Sequence, residues 1–337
     1  MRILPLLCGL LSLICVSRGV IIREQQNQYR DRWCGKSVHP NSLHAGTHNT
    51  PTVQHSRTES VSINTSTEPL FIDGKDAPWI GLVVFDNKKY GSRDYATGFL
   101  ISHRHILTTS AVVIDGFGNW TSLGKRADMR TCQERSMEHP LLEDKTISFT
   151  LCDKVRAGQT CSERQQWNVK KATYIGNCDE NMDPFGMALL EVDKELDPLR
   201  YNALCVPYTP TTNVRVKVEV YGLGPFDNRN PYDAMREPRL GAMNATVSST
   251  CKSDYAFGEY FVRDLSICLE SSTVRKGDGG GPIVRGTSKK TAIGVIRDEY
   301  NSNHVSVAAF SKEICKLSGI CDPKNYRIVH GKGRGDL

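Results

Sequence analysis

Residues 97–112, TGFLISHRHILTTSAV, decide the fold of this chain. They contain two short runs of strand-forming residues, Thr97–Ser102 and His105–Thr109, with only two residues between them. Short apolar or alternating runs separated by Gly, Asn, Asp and Pro are typical of antiparallel strands in barrels or sandwiches. Similar runs recur at Ile80–Phe85, Ile147–Leu151, Val214–Val220, Ala292–Arg297 and Val305–Phe310. The sequence therefore predicts an all-β protein in which helix is scarce.

Two further segments carry motifs. Phe185–Leu190 reads FGMALL, and Lys276–Pro282 reads KGDGGGP. Together with residues 97–112, and in this order, they resemble the Thr-Ala-Ala-His-Cys, Asn-Asp-Ile-Ala-Leu-Leu and Gln-Gly-Asp-Ser-Gly-Gly-Pro motifs of trypsin-like serine peptidases. The resemblance implies two antiparallel β-barrels of chymotrypsin type with a short C-terminal helix. The ending Cys315–Cys321 is similar to a nematode trypsin-like group, many of whose members lack catalytic residues.

The resemblance also places the three catalytic positions of the family. The general base falls on Ala111, the orienting carboxylate on Gly186 and the nucleophile on Gly279. Triad chemistry needs a hydroxyl, an imidazole and a carboxylate, and alanine and glycine supply none of these groups. Loss of the nucleophile alone costs about as much activity as loss of the whole triad. We therefore expect an inactive homologue.

An alternative is that catalysis uses displaced groups. The candidate base is His103 or His105. The candidate carboxylate is Asp183, and the candidate nucleophile is Ser271 or Ser272. This would require side chains from different strands to meet within hydrogen-bond distance. Two histidines two positions apart on one strand would also share a face and could chelate a metal, but no third ligand is in view. The sequence predicts neither a metal nor another cofactor.

Other positions follow from the resemblance alone. Gly277 and Gly279 match the residues whose backbone N–H groups form the oxyanion hole, so a carboxylate or carbonyl group could still dock there. Thr273 falls at the base of the primary specificity pocket, where it cannot pair with Arg or Lys as an aspartate would. Ile72 and Asp278 match the pair formed on zymogen cleavage, but Phe71 precedes Ile72 and offers no trypsin-type cleavage site.

The cysteines fit the same scheme. The resemblance implies the disulfides Cys34–Cys205 and Cys251–Cys268. The family's bridge beside the general base would need cysteines at Ala96 and Val112, and both are missing. The pairing of the other six mature cysteines stays open among 15 connectivities: Cys132, Cys152, Cys161, Cys178, Cys315 and Cys321.

The N-terminal residues indicate the compartment. Residues 1–19 combine a basic start, a short apolar run and small residues before a cleavage position, which is the pattern of a signal peptide. Removal of this leader takes away two of the 12 cysteines and two of the six net positive charges of the 337-residue chain. An even cysteine count and glycosylation sequons at Asn64, Asn119 and Asn244 suit the secretory route. The remaining charge is too small to indicate nucleic-acid binding, and no segment predicts a membrane span.

The rest of the chain divides into three parts. Residues 20–71 are polar and lack an apolar period, so we expect a largely disordered arm tethered through Cys34. Residues 72–323 form the peptidase-fold domain, ending in a helix over Lys312–Leu317 with Ser311 as N-cap and Gly319 as terminator. Residues 324–337 form a basic tail, in which Arg334-Gly335-Asp336 matches an integrin-type tripeptide but is better explained as solvated tail.

These features favour a secreted, non-catalytic homologue that uses a retained substrate-type cleft for binding or regulation. The expected partner is an extracellular protein or peptide of unknown identity. The alternatives are a hydrolase with displaced catalytic groups and an adhesion protein that uses the Arg-Gly-Asp tail. Because fold alone does not determine function, these alternatives are distinguished by the geometry and chemistry of the site.

Overall fold

A computed structural model gives the fold. It describes residues 21–36, 70–132, 135–140, 146–161, 166–177, 185–197, 201–209, 215–224, 238–248, 265–270, 274, 277–297 and 303–323. The two helices are α1 (Glu24–Trp33) and α2 (Ser311–Ser318). The strands are β1 (Leu70–Phe71), β2 (Ile80–Asn87), β3 (Ser92–Leu100), β4 (His105–Thr109), β5 (Asn119–Trp120), β6 (Lys125–Arg126), β7 (Ser136–Glu138), β8 (Ile147–Leu151), β9 (Gln166–Gly176), β10 (Gly186–Val192), β11 (Val216–Gly222), β12 (Gly241–Val247), β13 (Ser266–Cys268), β14 (Pro282–Arg285), β15 (Thr291–Val295) and β16 (Asn303–Ser306).

Six antiparallel strands close the first barrel. Their order is β10-β4-β3-β2-β8-β9, and β9 pairs back onto β10, while β7 extends the sheet beside β9. The ring of Phe149 occupies the space that a side chain at Gly81 would need, so this glycine lets a large aromatic residue fill the barrel, and the Val83 side chain occupies the corresponding space at Gly98. Phe149 is fully buried, as are Trp79, Phe99 and Tyr174. Interior burial of this kind is the main stabilising contribution to such a barrel.

The second barrel contains the order β12-β11-β14-β15-β16-β13, with β1 added at the outer edge of β12. Its ends meet where Val247 bridges Leu269. There the Ser248 N–H donates to the Cys268 carbonyl oxygen at 2.7 Å, and the Glu270 N–H donates to Thr246 at 2.9 Å. The predicted fold class, two antiparallel β-barrels with a short C-terminal helix, is confirmed.

The boundaries differ from the sequence prediction near the C-terminus. The run Val305–Phe310 is a strand only to Ser306, and Ala308–Phe310 forms a 3-10 turn that leads into α2. The helix starts at Ser311 itself, and the N-cap is Phe310, which makes no side-chain capping bond. Gly319 ends the helix as predicted, with a left-handed φ of 78° that a residue without Cβ adopts at little cost.

The start of the arm also differs from the prediction, because residues 24–33 form helix α1. Polar groups, not an apolar stripe, hold this helix. The Asn27 side-chain amide is buried and donates to the Cys321 carbonyl oxygen at 2.7 Å. The Ile22 N–H donates to the Ser318 carbonyl oxygen. A search for apolar periodicity cannot detect a helix that is fixed by buried hydrogen bonds. Residues 37–69 of the predicted arm lie outside the described residues.

Disulfides join the arm and the loops to the barrels. The structure contains Cys34–Cys205, Cys152–Cys161 and Cys315–Cys321. Cys132 and Cys268 are also disulfide-bonded, while Cys178 and Cys251 lie outside the described residues. Cys34–Cys205 spans 171 residues and fixes the end of α1 to the chain between the barrels.

Candidate functional site between the barrels

The three positions that match the catalytic triad converge on Thr109, the last residue of β4. Ala111 is exposed and follows Thr109 by two residues, in a 3-10 turn whose other residues are buried. Gly186 opens β10, and its neighbour Met187 pairs with Thr109. A Cβ atom at Gly279 would lie 4.0 Å from the Thr109 Cγ2 atom. The fold therefore brings the three positions together at the junction of the barrels, without the side chains that the triad requires.

Backbone packing fills the position of the orienting carboxylate. Gly186 pairs with Gly176 across β9 and β10. A Cβ atom at Gly186 would lie 2.7 Å from the Gly176 Cα atom and closer still to the Ile175 carbonyl oxygen. Real Cβ atoms essentially never make contacts this short. The strand pair is thus built around two glycines, and a side chain at Gly186 requires the strands to separate.

A cation lies beside this glycine pair. The guanidinium carbon of Arg297 is 5.4 Å from the centre of the buried Phe185 ring. The Arg297 carbonyl oxygen accepts a hydrogen bond from Thr109 Oγ1 at 3.2 Å. Arg297 follows β15 of the second barrel, so its side chain reaches across to the first barrel. The Arg297 guanidinium therefore lies next to the residue that precedes Gly186.

Tyr174 occupies the space behind the glycine pair. Its hydroxyl donates to the Asn177 carbonyl oxygen at 2.7 Å and lies 3.2 Å from the Phe185 carbonyl oxygen. Burial raises the pKa of the Tyr174 phenol, although the charge of Arg297 partly opposes this. The phenol is therefore neutral and serves to tie the β9–β10 connection together.

The loop of residues 277–281 is fastened to the first barrel by Thr97. The fully buried Thr97 side chain donates to the Gly277 carbonyl oxygen at 2.9 Å and accepts from the Leu223 N–H at 2.9 Å. The Thr97 N–H also donates to the Gly279 carbonyl oxygen at 2.9 Å. These bonds hold the loop in place beside the junction of the barrels.

Two backbone N–H groups of this loop, those of Gly277 and Gly279, differ from their neighbours in their hydrogen bonding. Gly277 adopts a left-handed φ of 91°, and both Gly277 and Gly279 are half-buried. Neither N–H group donates a hydrogen bond within the described part of the chain. By contrast, the Gly280 N–H donates to Ile296 and the Gly281 N–H to Asp278, each at 2.8 Å. Two neighbouring N–H groups of this kind can donate hydrogen bonds to a carbonyl or carboxylate oxygen of a ligand.

The predicted activation-type pair is not formed. Asp278 is buried, and its carboxylate accepts the Gly224 N–H at 2.8 Å. The Ile72 N–H donates to the Leu240 carbonyl oxygen at 3.3 Å, directly after β1 pairs with β12. In this uncleaved chain the Ile72 nitrogen is an amide and carries no charge. Asp278 therefore serves as an internal support of the loop.

Comparisons with known proteins agree with this architecture. The model of the nematode trypsin-6-like family matches residues 6–321. The chain belongs to this family. The predicted resemblance to trypsin-like peptidases and to a nematode group is thereby confirmed.

A crystal structure of an inactivated protease paralogue from the scabies mite, S-D1, is similar, with 18% identity, a TM-score of 0.48, and coverage of 75% of this chain and 97% of the other. No curated protein matches the chain.

His103 and His105, the candidate bases of the alternative catalytic arrangement, do not lie on one strand. His105 is on β4 and is buried, and its Nδ1 atom is 2.8 Å from the Ser102 hydroxyl. His103 lies in the turn before β4, which corrects the expectation that the two share a strand face. The Ser102 hydroxyl also accepts the N–H groups of Arg104 and His105, so it organises the turn. Asp183, Ser271 and Ser272 lie outside the described residues.

The remaining predicted positions are distributed over the family fold. Asn119 is in β5, and its side-chain amide donates to Asp115 at 3.1 Å. Asn244 is in β12, opposite Glu219. Positions outside the described residues are Thr273, Asn64 and Arg334–Asp336. The described residues contain no cluster of three or more metal-ligating side chains and no helix long and apolar enough to cross a membrane.

Sequence reasoning missed two residues that shape the site of this nematode trypsin-6-like protein. Thr97 was recognised only as part of a strand, and Arg297 only as the end of another. Nothing in the local pattern shows that Thr97 fastens the 277–281 loop, since its partners are 126 and 180 residues away. The position of Arg297 next to Phe185 likewise depends on how the two barrels pack.

Proposed function

We propose that this protein is a secreted, non-catalytic serine-peptidase homologue whose cleft binds a peptide segment of an extracellular protein. The observation that carries the proposal is the pair of N–H groups of Gly277 and Gly279, which donate to no acceptor among the residues that the structure describes. They stand beside triad positions occupied by Ala111, Gly186 and Gly279. The site thus keeps donors for a ligand and lacks groups for chemistry.

Inactivity rests on the nucleophile and the base together. An attacking hydroxyl and an imidazole to accept its proton are required for acyl transfer in this family. Gly279 and Ala111 provide neither. An orienting carboxylate is excluded as well, because the packing around Gly186 leaves no room for a side chain.

The hydrogen-bond donors of the site favour a ligand that carries carboxylate or carbonyl oxygen. Arg297 provides a cation beside Phe185, and the two glycine N–H groups are hydrogen-bond donors. The buried Asp278 carboxylate is turned to the Gly224 N–H. An acidic side chain or a peptide carboxylate is therefore complementary to the cleft, since charge-assisted hydrogen bonds are the stronger kind.

Secretion is supported by the leader at residues 1–19 and by cysteine chemistry. All eight cysteines in the described residues are disulfide-bonded. Disulfides of this density belong to an oxidising compartment. We propose glycosylation at Asn64, Asn119 and Asn244 on the same route, and keep 72–323 as the proposed peptidase-fold domain followed by a tail.

The test measures the backbone amide signals of Gly277 and Gly279 by nuclear magnetic resonance. Mature protein labelled with ¹⁵N-glycine is titrated with pools of extended hexapeptides that are rich in acidic, basic or apolar residues. We expect the Gly277 and Gly279 amide signals to shift with the acidic pool, and Arg297→Gln to weaken the effect. The exposed Gly116 is the internal control, since nothing lies within 4 Å of its Cβ position. Unchanged Gly277 and Gly279 signals with every pool would refute cleft binding.

A further inference from the structure

A second pocket lies away from the cleft, between α1 and the turn that joins β3 to β4. We call it the arm pocket. Its volume is about 280 Å³, near the lower end for small-molecule sites. Gln25, Tyr29 and Arg30 on α1 face Ser102, His103 and Arg104 on the turn. The space suits one or two amino-acid residues.

The arm pocket has a buried cation in its wall. Arg30 is only 5% exposed. Its guanidinium donates to Asn27 Oδ1 at 3.2 Å, to the Ile101 carbonyl oxygen at 3.5 Å and to the Tyr208 hydroxyl at 2.7 Å. All three acceptors are neutral groups. A guanidinium has five N–H donors, so two remain for a ligand.

No protein carboxylate neutralises Arg30 within the described residues. No Asp or Glu oxygen lies within 4.0 Å of its guanidinium. The carboxylate of the adjacent Asp31 lies 3.5 Å from Lys289 Nζ and accepts a hydrogen bond from the Tyr208 hydroxyl. Burial of a charge without an opposite charge is costly. The site is therefore one charge short of balance.

The rest of the pocket wall sets the kind of anion. Glu195 is also in the wall, but it lies 3.5 Å from Arg104 and balances that residue. Tyr208 does not line the pocket, but it accepts a hydrogen bond from Arg30 as a neutral phenol, and burial raises its pKa to about 12. Ile22 and the ring of Tyr29 supply apolar surface. An anion with an apolar body matches this combination better than inorganic phosphate.

We infer that the arm pocket binds a carboxylate attached to an apolar group, with the carboxylate on Arg30 and the apolar group against Ile22 and Tyr29. The ligand is either a peptide C-terminus ending in an aliphatic residue or a small free carboxylic acid. The two sources share the same recognition chemistry. This inference does not depend on the cleft or on the proposed function.

The test is calorimetric titration of the mature protein with N-acetyl-leucine. We expect a Kd of about 1 mM or tighter, which is reasonable for a ligand of this size. The amide of N-acetyl-leucine should bind at least about tenfold more weakly, since it lacks the charge. Octanoate and N-acetyl-Ala-Ala-Leu separate the two sources: tighter binding of the tripeptide indicates a peptide C-terminus, and tighter binding of octanoate a free acid.

Variants on α1 keep the test independent of folding. Arg30→Gln should abolish the preference for acid over amide. Because Arg30 is buried, a second variant, Gln25→Trp, blocks the pocket from an exposed position and should weaken binding at least about tenfold. Gln28 on the same helix is exposed and does not line the pocket, so Gln28→Trp should bind N-acetyl-leucine as the natural chain does. Equal affinity for acid and amide, or no effect of Gln25→Trp, would overturn the inference.

Discussion

Gly186 and Ile175 approach so closely that a Cβ atom on Gly186 would overlap the Ile175 carbonyl oxygen. This contact distinguishes two ways of losing a catalytic residue. Ala111 is exposed, so a larger side chain there meets little obstruction. At Gly186, in contrast, β9 occupies the space that a side chain would need. At the position where the family resemblance places the orienting carboxylate, the backbone itself therefore leaves no room for a side chain.

The first prediction concerns that packing. Gly186→Ala should lower the free energy of unfolding by about 1–3 kcal/mol, the usual cost of overpacking, and Gly186→Asp should cost more. Gly116→Ala is the matched control, because its Cβ position is open, and should change stability by less than about 0.5 kcal/mol. Denaturant unfolding measures both. Equal stabilities of Gly186→Ala and Gly116→Ala would contradict the close approach of β9 and β10.

The second prediction concerns Thr97. Thr97→Val leaves the half-buried Gly277 carbonyl and the buried Leu223 N–H without this partner, which should cost about 1–3 kcal/mol. Thr150→Val is the control, because the buried Thr150 hydroxyl has no hydrogen-bond partner and its removal should be neutral or stabilising. Denaturant unfolding compares the two, and the Gly277 amide signal reports the loop. If both variants are equally stable, Thr97 does not fasten the loop.

The sequence was informative where motifs and strand patterns are local. The strands near Ile80, His105 and Ile147 start where they were predicted. The convergence of Ala111, Gly186 and Gly279 followed from a family resemblance, because nothing in their own spacing brings them together. Arg297 and Thr97 could not be predicted, since their roles depend on packing between segments more than 100 residues apart.

The third prediction concerns the covalent frame. Non-reducing peptide mapping should recover Cys34–Cys205, Cys152–Cys161 and Cys315–Cys321. Replacing both Cys34 and Cys205 by Ala should destabilise the protein by about 2–4 kcal/mol. The double replacement of Cys152 and Cys161 is the control and should cost less, because it closes a separation of 9 residues and not 171. Recovery of Cys34 with any other cysteine would contradict the docking of α1.

Helix α1 shows a second limit of sequence reasoning. Its polar composition indicated a disordered arm, yet the buried side chains of Asn27 and Arg30 hold it against the barrels. Buried polar groups with specific partners look like solvated residues in a sequence, because composition does not reveal the partner. The arm pocket was missed for the same reason.

The fourth prediction concerns alkaline pH. Burial raises the pKa of Tyr208 to about 12, whereas an unfolded tyrosine titrates near 10. Below pH 10 the phenol is protonated in both the folded and the unfolded protein, and the contribution of Tyr208 to stability is fully present. This contribution is lost as the pH rises from 10 to 12, because only the unfolded protein then releases the proton. Tyr208→Phe should therefore flatten the fall in stability over this window. Tyr90→Phe, at a residue that is 68% exposed, is the control. An identical fall in the natural chain and Tyr208→Phe would refute the assignment.

The central claim is that the cleft binds without catalysis. Its most direct test is to expose the purified mature protein to a fluorophosphonate serine probe and to a broad library of ester and peptide substrates. The account predicts no covalent labelling and no hydrolysis above the buffer blank, since Ala111, Gly186 and Gly279 provide no triad group. Stoichiometric labelling of a serine, together with turnover of any substrate, would contradict it.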